Sequence, residues 1–462
     1  MNDIIVRLLS VELKGFKNVD FGKIDMPDFV SGKYNEGDSE ILGIYGQNGS
    51  GKTAVIDAIG FLKKLMMGLP LPKDAADYIG MLSDKATCNF KFYIQNKINQ
   101  LLVNYQFIVS RSEENGVEIE NEKITFSKLE NEKWSRESVL IDYNTKNDGV
   151  LFTPKYRYES ISSANKENEV KLNVAKVVAK KEKKSFIFSD EAREILVNGN
   201  NDDISWALIL FPLRFFAITN LFVINNNHNG IISVDFAIPL SFKHEQSGNF
   251  SIGDLMISLS EPTIFDTKSF KLFKSIVEEM NLVIKSLIPG LSLIIKEHGS
   301  QVTKDGKDGV RFELLSKRGD VQIPLKYESE GIKKLISILN ILIAMYNNPS
   351  VCMAVDELDA GVYEYLLGEL LGVIEESGKG QLIFTSHNLR PLEMINKCSM
   401  IFTTTNPQNR YIRLTNVKSN NNLRDLYLRS INLGGQKEQI YEPTKEFEIR
   451  RALRRAGRDL NG

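Results

Sequence analysis

The segment Gly46-Gln47-Asn48-Gly49-Ser50-Gly51-Lys52-Thr53 has residue types and spacing suited to holding phosphate. It reads G-x-x-x-x-G-K-[ST], follows the apolar run Ile41–Tyr45 and opens a helical pattern. Glycines let the backbone curl so that successive N–H groups face phosphate oxygens, and the next helix aims its positive end at the same anion. Lys52 can reach the outer phosphates of a nucleoside triphosphate, and the Thr53 hydroxyl can ligate Mg²⁺. A second apolar run, Val351–Val355, ends in Asp356 and Glu357. A carboxylate at such a strand tip, Asp356, can anchor Mg²⁺ through water, and Glu357 beside it can polarise the attacking water. A third run, Gln381–Thr385, ends in Ser386 and His387, an imidazole placed to touch the γ-phosphate. Ser329 and Gly331 open an apolar helix ahead of the acidic strand. That serine either caps its own helix or, with the glycine N–H, makes a second anion site.

The elements that must position these residues are legible in outline. Residues 4–24 alternate like an opening β-hairpin, and residues 87–128 read as a run of strands. From Thr53 to about Met67 the apolar residues fall at helical spacing. Residues 207–224 are very apolar but contain Pro212, Arg214 and Asn220, which predicts a buried helix and no membrane span. Residues 225–262 read as Asn/Gly-rich and irregular. A helix is expected over 267–288, strands over 291–297, 310–316 and 320–326, and a helix from Ser329 to about Tyr346.

Four regions follow. Residues 1–130 form one half of the phosphate-binding unit with a β lobe, and 131–289 a mixed, mainly helical insert. Residues 290–415 form the other half, and 416–462 a basic helical tail. Lys176, Lys180, Lys181, Lys183 and Lys184 make either a nucleic-acid-facing patch or a solvated surface. In the tail, Phe447, Ile449, Leu453, Ala456 and Leu460 read as one helix face, and Arg450, Arg451, Arg454, Arg455 and Arg458 as the other. That helix grips phosphates or an acidic partner, packs on the body as a surface helix, or closes an oligomer.

The 462 residues are 42% hydrophobic and 25% charged with a net charge of −1, an ordinary globular balance that gives no whole-chain argument for nucleic acid or membrane. Cys88, Cys352 and Cys398 form no CxxC pair and the four histidines are scattered. A structural zinc site is not expected, and a reducing, cytoplasmic setting is.

The order of the phosphate loop, strand-rich insert, Ser329-x-Gly331 helix, Asp356-Glu357 strand, Asp359-Ala360-Gly361 turn and His387 resembles ABC-type ATPase heads, including those of SMC and recombination proteins. The resemblance implies an α/β P-loop fold of ABC-ATPase-head type with a β-rich lobe and a helical insert. It also implies ATP and Mg²⁺ as ligands and hydrolysis of ATP. Two heads would meet with ATP between them, Ser329 and Gly331 completing the site of the neighbour, in a homodimer or higher homo-oligomer. No glutamine stands where such heads place one after the first helix, around residues 78–90. The wording of Glu328–Leu335, Asp356–Gly361 and Thr385–Asn388 is similar to AAA/ABC-like ATPases of bacterial phage defence. These include the ATPase subunits of abortive-infection, Septu and PARIS systems and the overcoming-lysogenisation-defect nucleases. That resemblance implies a sensor of a phage product that controls a separate, nuclease-like effector. The alternative is a DNA-maintenance ATPase that clamps DNA across the dimer.

Overall fold

The computed structural model describes residues 4–32, 38–112, 116–147, 149–198, 205–246, 249–415 and 422–458. The chain opens with strands β1 (Ile5–Phe16) and β2 (Val19–Asp25), a short helix α1 (Pro27–Ser31), strand β3 (Glu40–Tyr45) and helix α2 (Lys52–Met66). An antiparallel series follows: β4 (Lys85–Gln95), β5 (Gln100–Ser112), β6 (Gly116–Glu130), β7 (Lys133–Trp134), β8 (Ser138–Asn144) and β9 (Phe152–Thr153). Helices α3 (Lys155–Ala164), α4 (Lys166–Glu182), α5 (Asp190–Asn198) and α6 (Ser205–Thr219) lead to β10 (Leu221–Ile224). Then come α7 (Asn226–Ser233), the hairpin β11 (Ala237–Gln246) and β12 (Asn249–Ser258), β13 (Thr263–Asp266) and α8 (Thr267–Leu287). Strands β14 (Leu291–Val302), β15 (Asp308–Arg318) and β16 (Val321–Pro324) precede α9 (Glu330–Asn347) and β17 (Cys352–Val355). The chain finishes with α10 (Glu364–Ser377), β18 (Gln381–Thr385), α11 (Pro391–Met394), β19 (Met400–Thr403), β20 (Tyr411–Ile412), α12 (Leu423–Leu433) and α13 (Glu446–Arg458).

The central sheet runs β10-β17-β18-β3-β19-β20, parallel except for β20. Its inner strands read Glu-Ile-Leu-Gly-Ile-Tyr, Cys-Met-Ala-Val and Gln-Leu-Ile-Phe-Thr and are buried throughout. A parallel strand covered on both faces needs that continuous apolar run. Helix α2 buries Ile56, Ile59 and Leu62 against one face, beside the β1–β9 lobe. Helices α9 and α10 bury Ile338, Ile341, Leu367 and Leu371 on the other. In the lobe, β4 alternates buried and half-exposed residues through Ala86, Cys88, Phe90 and Phe92, the period of a strand covered on one face. The result is an α/β fold with a β-rich antiparallel lobe, as the sequence leads one to expect.

Two sequence expectations differ from the fold. Residues 207–224 are not one helix: α6 ends at Thr219 and β10 extends the central sheet parallel to β17. Within 225–262, expected to be irregular, the described residues form α7 and a hairpin pairing Ala237 with Ser258 through Gln246 with Asn249. Ile238, Leu240 and Phe242 pack one face of β11 into a core with α8 and α9, and Ala237 and Ser241 on its other face are buried as well. The interval 131–289 holds strands β7 to β13 among more extensive helices, and it donates β10 to the central sheet. The expected tail also divides. Leu423 and Tyr427 of α12 are buried on the body, with Tyr427 4.8 Å from Phe402 ring to ring. Residues 446–456 of α13 are exposed.

Candidate functional site

Register fixes which residues converge. Ile44 of β3 pairs with Thr385 of β18, and Phe384 with Val355 of β17. The carboxyl ends of three neighbouring strands therefore release the Gly46–Thr53 loop, Asp356-Glu357 and Ser386-His387 side by side. That edge of a parallel sheet is where α/β folds place ligands. A cleft of about 460 Å³ opens there, bounded by Asn48–Ala54, Asp356, Glu357, Thr385 and His387, with Lys17 and Asn18 from the β1–β2 turn.

The loop is braced from below. Gly46 has φ +155°, and a Cβ there would lie 1.6 Å from Thr403 Oγ1, so no other residue fits against β19. The Ser50 hydroxyl bonds Thr403. Tyr411 Oη donates to the Gly51 carbonyl at 2.7 Å, and Arg410 donates to the Asn18 carbonyl at 2.6 Å. Asn18 in turn donates to the Gly49 carbonyl. The Gln47 Oε1 accepts from the Glu442 backbone at 2.8 Å, so the chain leading into α13 touches the loop.

Lys52 is 7% exposed and folds back, donating to the Gly46 and Gln47 carbonyls at 2.8 and 3.0 Å. Burial draws its pKa below the ordinary lysine value, opposed by Asp356, Glu357 and Asp359. Thr53 Oγ1 donates to Asp356 Oδ1 at 3.3 Å, and Thr385 Oγ1 donates to the same oxygen at 2.6 Å. Asp356 is fully buried, yet its Oδ2 has no hydrogen-bond partner. An orphaned buried carboxylate oxygen is costly unless a ligand or water meets it. Among the described residues no three His, Cys, Asp or Glu side chains form a metal cage. A threonine hydroxyl and one carboxylate, leaving the other positions to phosphate and water, are the hard-oxygen set that suits Mg²⁺.

Glu357 lines the cleft with φ +51°, a left-handed conformation for a residue with a Cβ. That geometry stores roughly 1–3 kcal/mol of strain. Its N–H donates to Thr385 Oγ1 at 2.7 Å, and Lys334 Nζ donates to its carbonyl. His387 also lines the cleft, and its backbone N–H donates to Asp359 Oδ2 at 3.0 Å.

Ser329 and Gly331 stand elsewhere. Neither borders the cleft of their own chain. The exposed Ser329 is the N-cap of α9, its Oγ accepting from Ile332 N at 3.3 Å. Gly331 packs on the Asp359–Gly361 turn, where a Cβ would meet the Gly361 carbonyl at 1.9 Å. Among the described cleft residues there is no glutamine. Lys17, Asn18, Thr385 and Lys334 were not singled out from sequence. Lys17 and Asn18 carry a signal, as the turn of the opening hairpin, and Thr385 directly precedes Ser386.

The lysine-rich segment is mostly tied down. Lys176 donates to the Asn147 carbonyl at 2.6 Å, Lys180 pairs with Glu118 and Lys184 with Glu182. In α13, a turn of about 100° per residue puts Phe447 on the arginine side and leaves Ile449, Leu453 and Ala456 as the apolar stripe. Leu460 lies outside the described residues. Among the described residues no helix is long and apolar enough to cross a membrane.

No protein-family model and no curated protein matches the sequence. Among solved structures, the chain is similar to the Smc head domain of Pyrococcus furiosus with an extended coiled coil, bound to the C-terminal domain of ScpA. The identity is 14%, covering 88% of this chain and 96% of that one, with a TM-score of 0.38. It is similar to the SMC head domain of Thermotoga maritima at 14% identity, 88% and 99% coverage and a TM-score of 0.37. It is also similar to the recombination mediator protein RecF of the RecFOR pathway, at 13% identity, 83% and 94% coverage and a TM-score of 0.32.

Proposed function

We propose that the protein is an ABC-type ATPase that uses ATP binding to join two heads and hydrolysis to part them. The observation that carries this reading is the convergence of Lys52, Thr53, Asp356, Glu357 and His387 on one cleft, with Asp356 Oδ2 unpartnered. Lys52 exchanges its bonds to the loop carbonyls for phosphate oxygens, and the loop N–H groups cradle the rest. Thr53 and Asp356 hold Mg²⁺, which neutralises charge on the phosphates. Glu357 orients a water and takes its proton as the oxygen bonds the γ-phosphorus and the bond to ADP breaks. His387 meets the γ-phosphate. Ser329 and Gly331, away from their own cleft at the start of α9, complete the neighbour's site. Phosphate release with Mg²⁺ and ATP, lost in Glu357→Gln, tests the chemistry; a wild type that releases none refutes it.

The wording of the α9 and Asp-Glu motifs supports a role as regulatory ATPase of a bacterial anti-phage system, answering a phage protein and controlling a separate nuclease-like effector. Cells carrying the gene with its neighbours should restrict phage plating, and Glu357→Gln should abolish that. A DNA-clamping ATPase is the second reading, favoured by the exposed arginines of α13. It requires salt-sensitive, nucleotide-dependent DNA binding.

A further inference from the structure

Helix α9 reaches the rear of the cleft through one side chain. Lys334, in its second turn and 3% exposed, donates from Nζ to the Glu357 carbonyl. The bond is to backbone, so the Glu357 carboxylate remains part of the cleft wall. A left-handed non-glycine residue persists only where its surroundings hold it. Here Thr385 Oγ1 accepts from the Glu357 N–H, while Lys334 and the Ala360 N–H both donate to its carbonyl. Beside this, Gly331 presses on Gly361 so closely that not even a methyl group fits. Asp359 closes the turn by accepting from the His387 and Asn388 backbones. The first turns of α9 and the Asp356–Gly361 turn are therefore one mechanical unit. Burial draws the Lys334 pKa down to about 8, against the pull of Asp359, Glu357 and Asp356. An apolar side chain would avoid that desolvation, so what the lysine contributes is the bond to Glu357.

We propose that Lys334 is a positioning residue that couples the start of α9 to the water-activating Glu357 of the same chain. This rests on the dimer reading, in which Ser329 meets the neighbour's nucleotide while Glu357 serves the chain's own. One helix then joins both nucleotide sites, and hydrolysis at one depends on occupancy of the other.

The test compares full-length wild type, Lys334→Met and Lys334→Arg by steady-state phosphate release. Calorimetric titration with ATP in the Glu357→Gln background accompanies it. Lys334→Met should lower kcat about a hundredfold, the scale expected when a reacting group is misplaced by an ångström. It should leave the ATP dissociation constant within about twofold, because a loss confined to the chemical step does not touch binding. It should also remove cooperativity in ATP, and Lys334→Arg should restore most of kcat. Wild-type kcat in both variants would overturn the proposal, as would kcat and ATP affinity falling together in both. If the wild type releases no phosphate, the ATPase reading fails and hydrogen exchange decides the Lys334 contact. Amides 357–361 then lose protection in Lys334→Met and keep it in Lys334→Arg if the lysine holds the turn. Unchanged protection in Lys334→Met refutes it.

Discussion

Thr53 and Asp356, 303 positions apart in the chain, meet with Oγ1 3.3 Å from Oδ1. Parallel pairing of β3, β18 and β17 makes that contact, and it joins the helix after the phosphate loop to the acidic strand. Asp356→Asn keeps the shape but removes the charge that would face Mg²⁺ in the proposed site. ATP affinity should fall at least about tenfold in Mg²⁺, the scale of losing a charge-assisted contact. It should be unchanged in EDTA. Calorimetric titration in both buffers checks this, and an equal loss in each would contradict the assignment.

Gly331 and Ser329 separate packing from capping. Gly331→Ala places a Cβ 1.9 Å from the Gly361 carbonyl, which demands a backbone shift. We expect a loss of about 1–3 kcal/mol, as for overpacked sites, with ATPase activity falling alongside. Ser329→Ala removes an N-cap and should cost about 1 kcal/mol. Denaturant unfolding of both variants measures the difference. Equal stability in Gly331→Ala and wild type would show that the turn is looser than the geometry requires.

Glu122 makes stability depend on pH. Its buried carboxylate accepts from Tyr105 Oη at 2.6 Å, Phe186 N at 2.6 Å and the Ser185 hydroxyl, and it ties the lobe to the connection between α4 and α5. Burial raises its pKa above the ordinary carboxylate value, against those hydrogen bonds. The unfolded chain thus releases this proton first. Across the window from the unfolded carboxylate pKa up to the raised native one, the native state binds more protons, so stability falls as pH rises. Glu122→Gln should remove that component, its stability relative to wild type improving from pH 4.5 upward. A difference that does not vary with pH would contradict the account.

Helix α13 is exposed along residues 446–456, so its removal should leave the body intact. Truncation after Pro443 should change unfolding free energy by less than about 0.5 kcal/mol, as surface changes do. It should weaken any salt-sensitive binding of DNA. A large loss of stability would mean that the helix packs on the body.

The Gly46–Thr53 loop, the acidic strand tip and His387, which converge on one cleft, stand out in the sequence because each combines a fixed residue type with an apolar strand before it. The hairpin over 237–258 was not, because Asn, Gly and Ser between its apolar residues resemble a loop until Ile238, Leu240 and Phe242 are read at period two. Strand β10 was hidden because only Thr219 and Asn220 separate it from the apolar run of α6, a break too short to part a strand from a helix by composition. Lys334 was invisible as a partner of Glu357, since nothing in a helical repeat says which lysine turns inward. Ser329 remained ambiguous because a serine at a helix start satisfies its own backbone whether or not a phosphate ever meets it.

Native mass with and without ATP for Glu357→Gln, which should bind ATP without turning it over, reads the joining of two heads itself. We expect a nucleotide-dependent shift to a discrete larger assembly, abolished when Ser329→Arg is added. A mass unchanged by ATP, or a shift that survives Ser329→Arg, would contradict it.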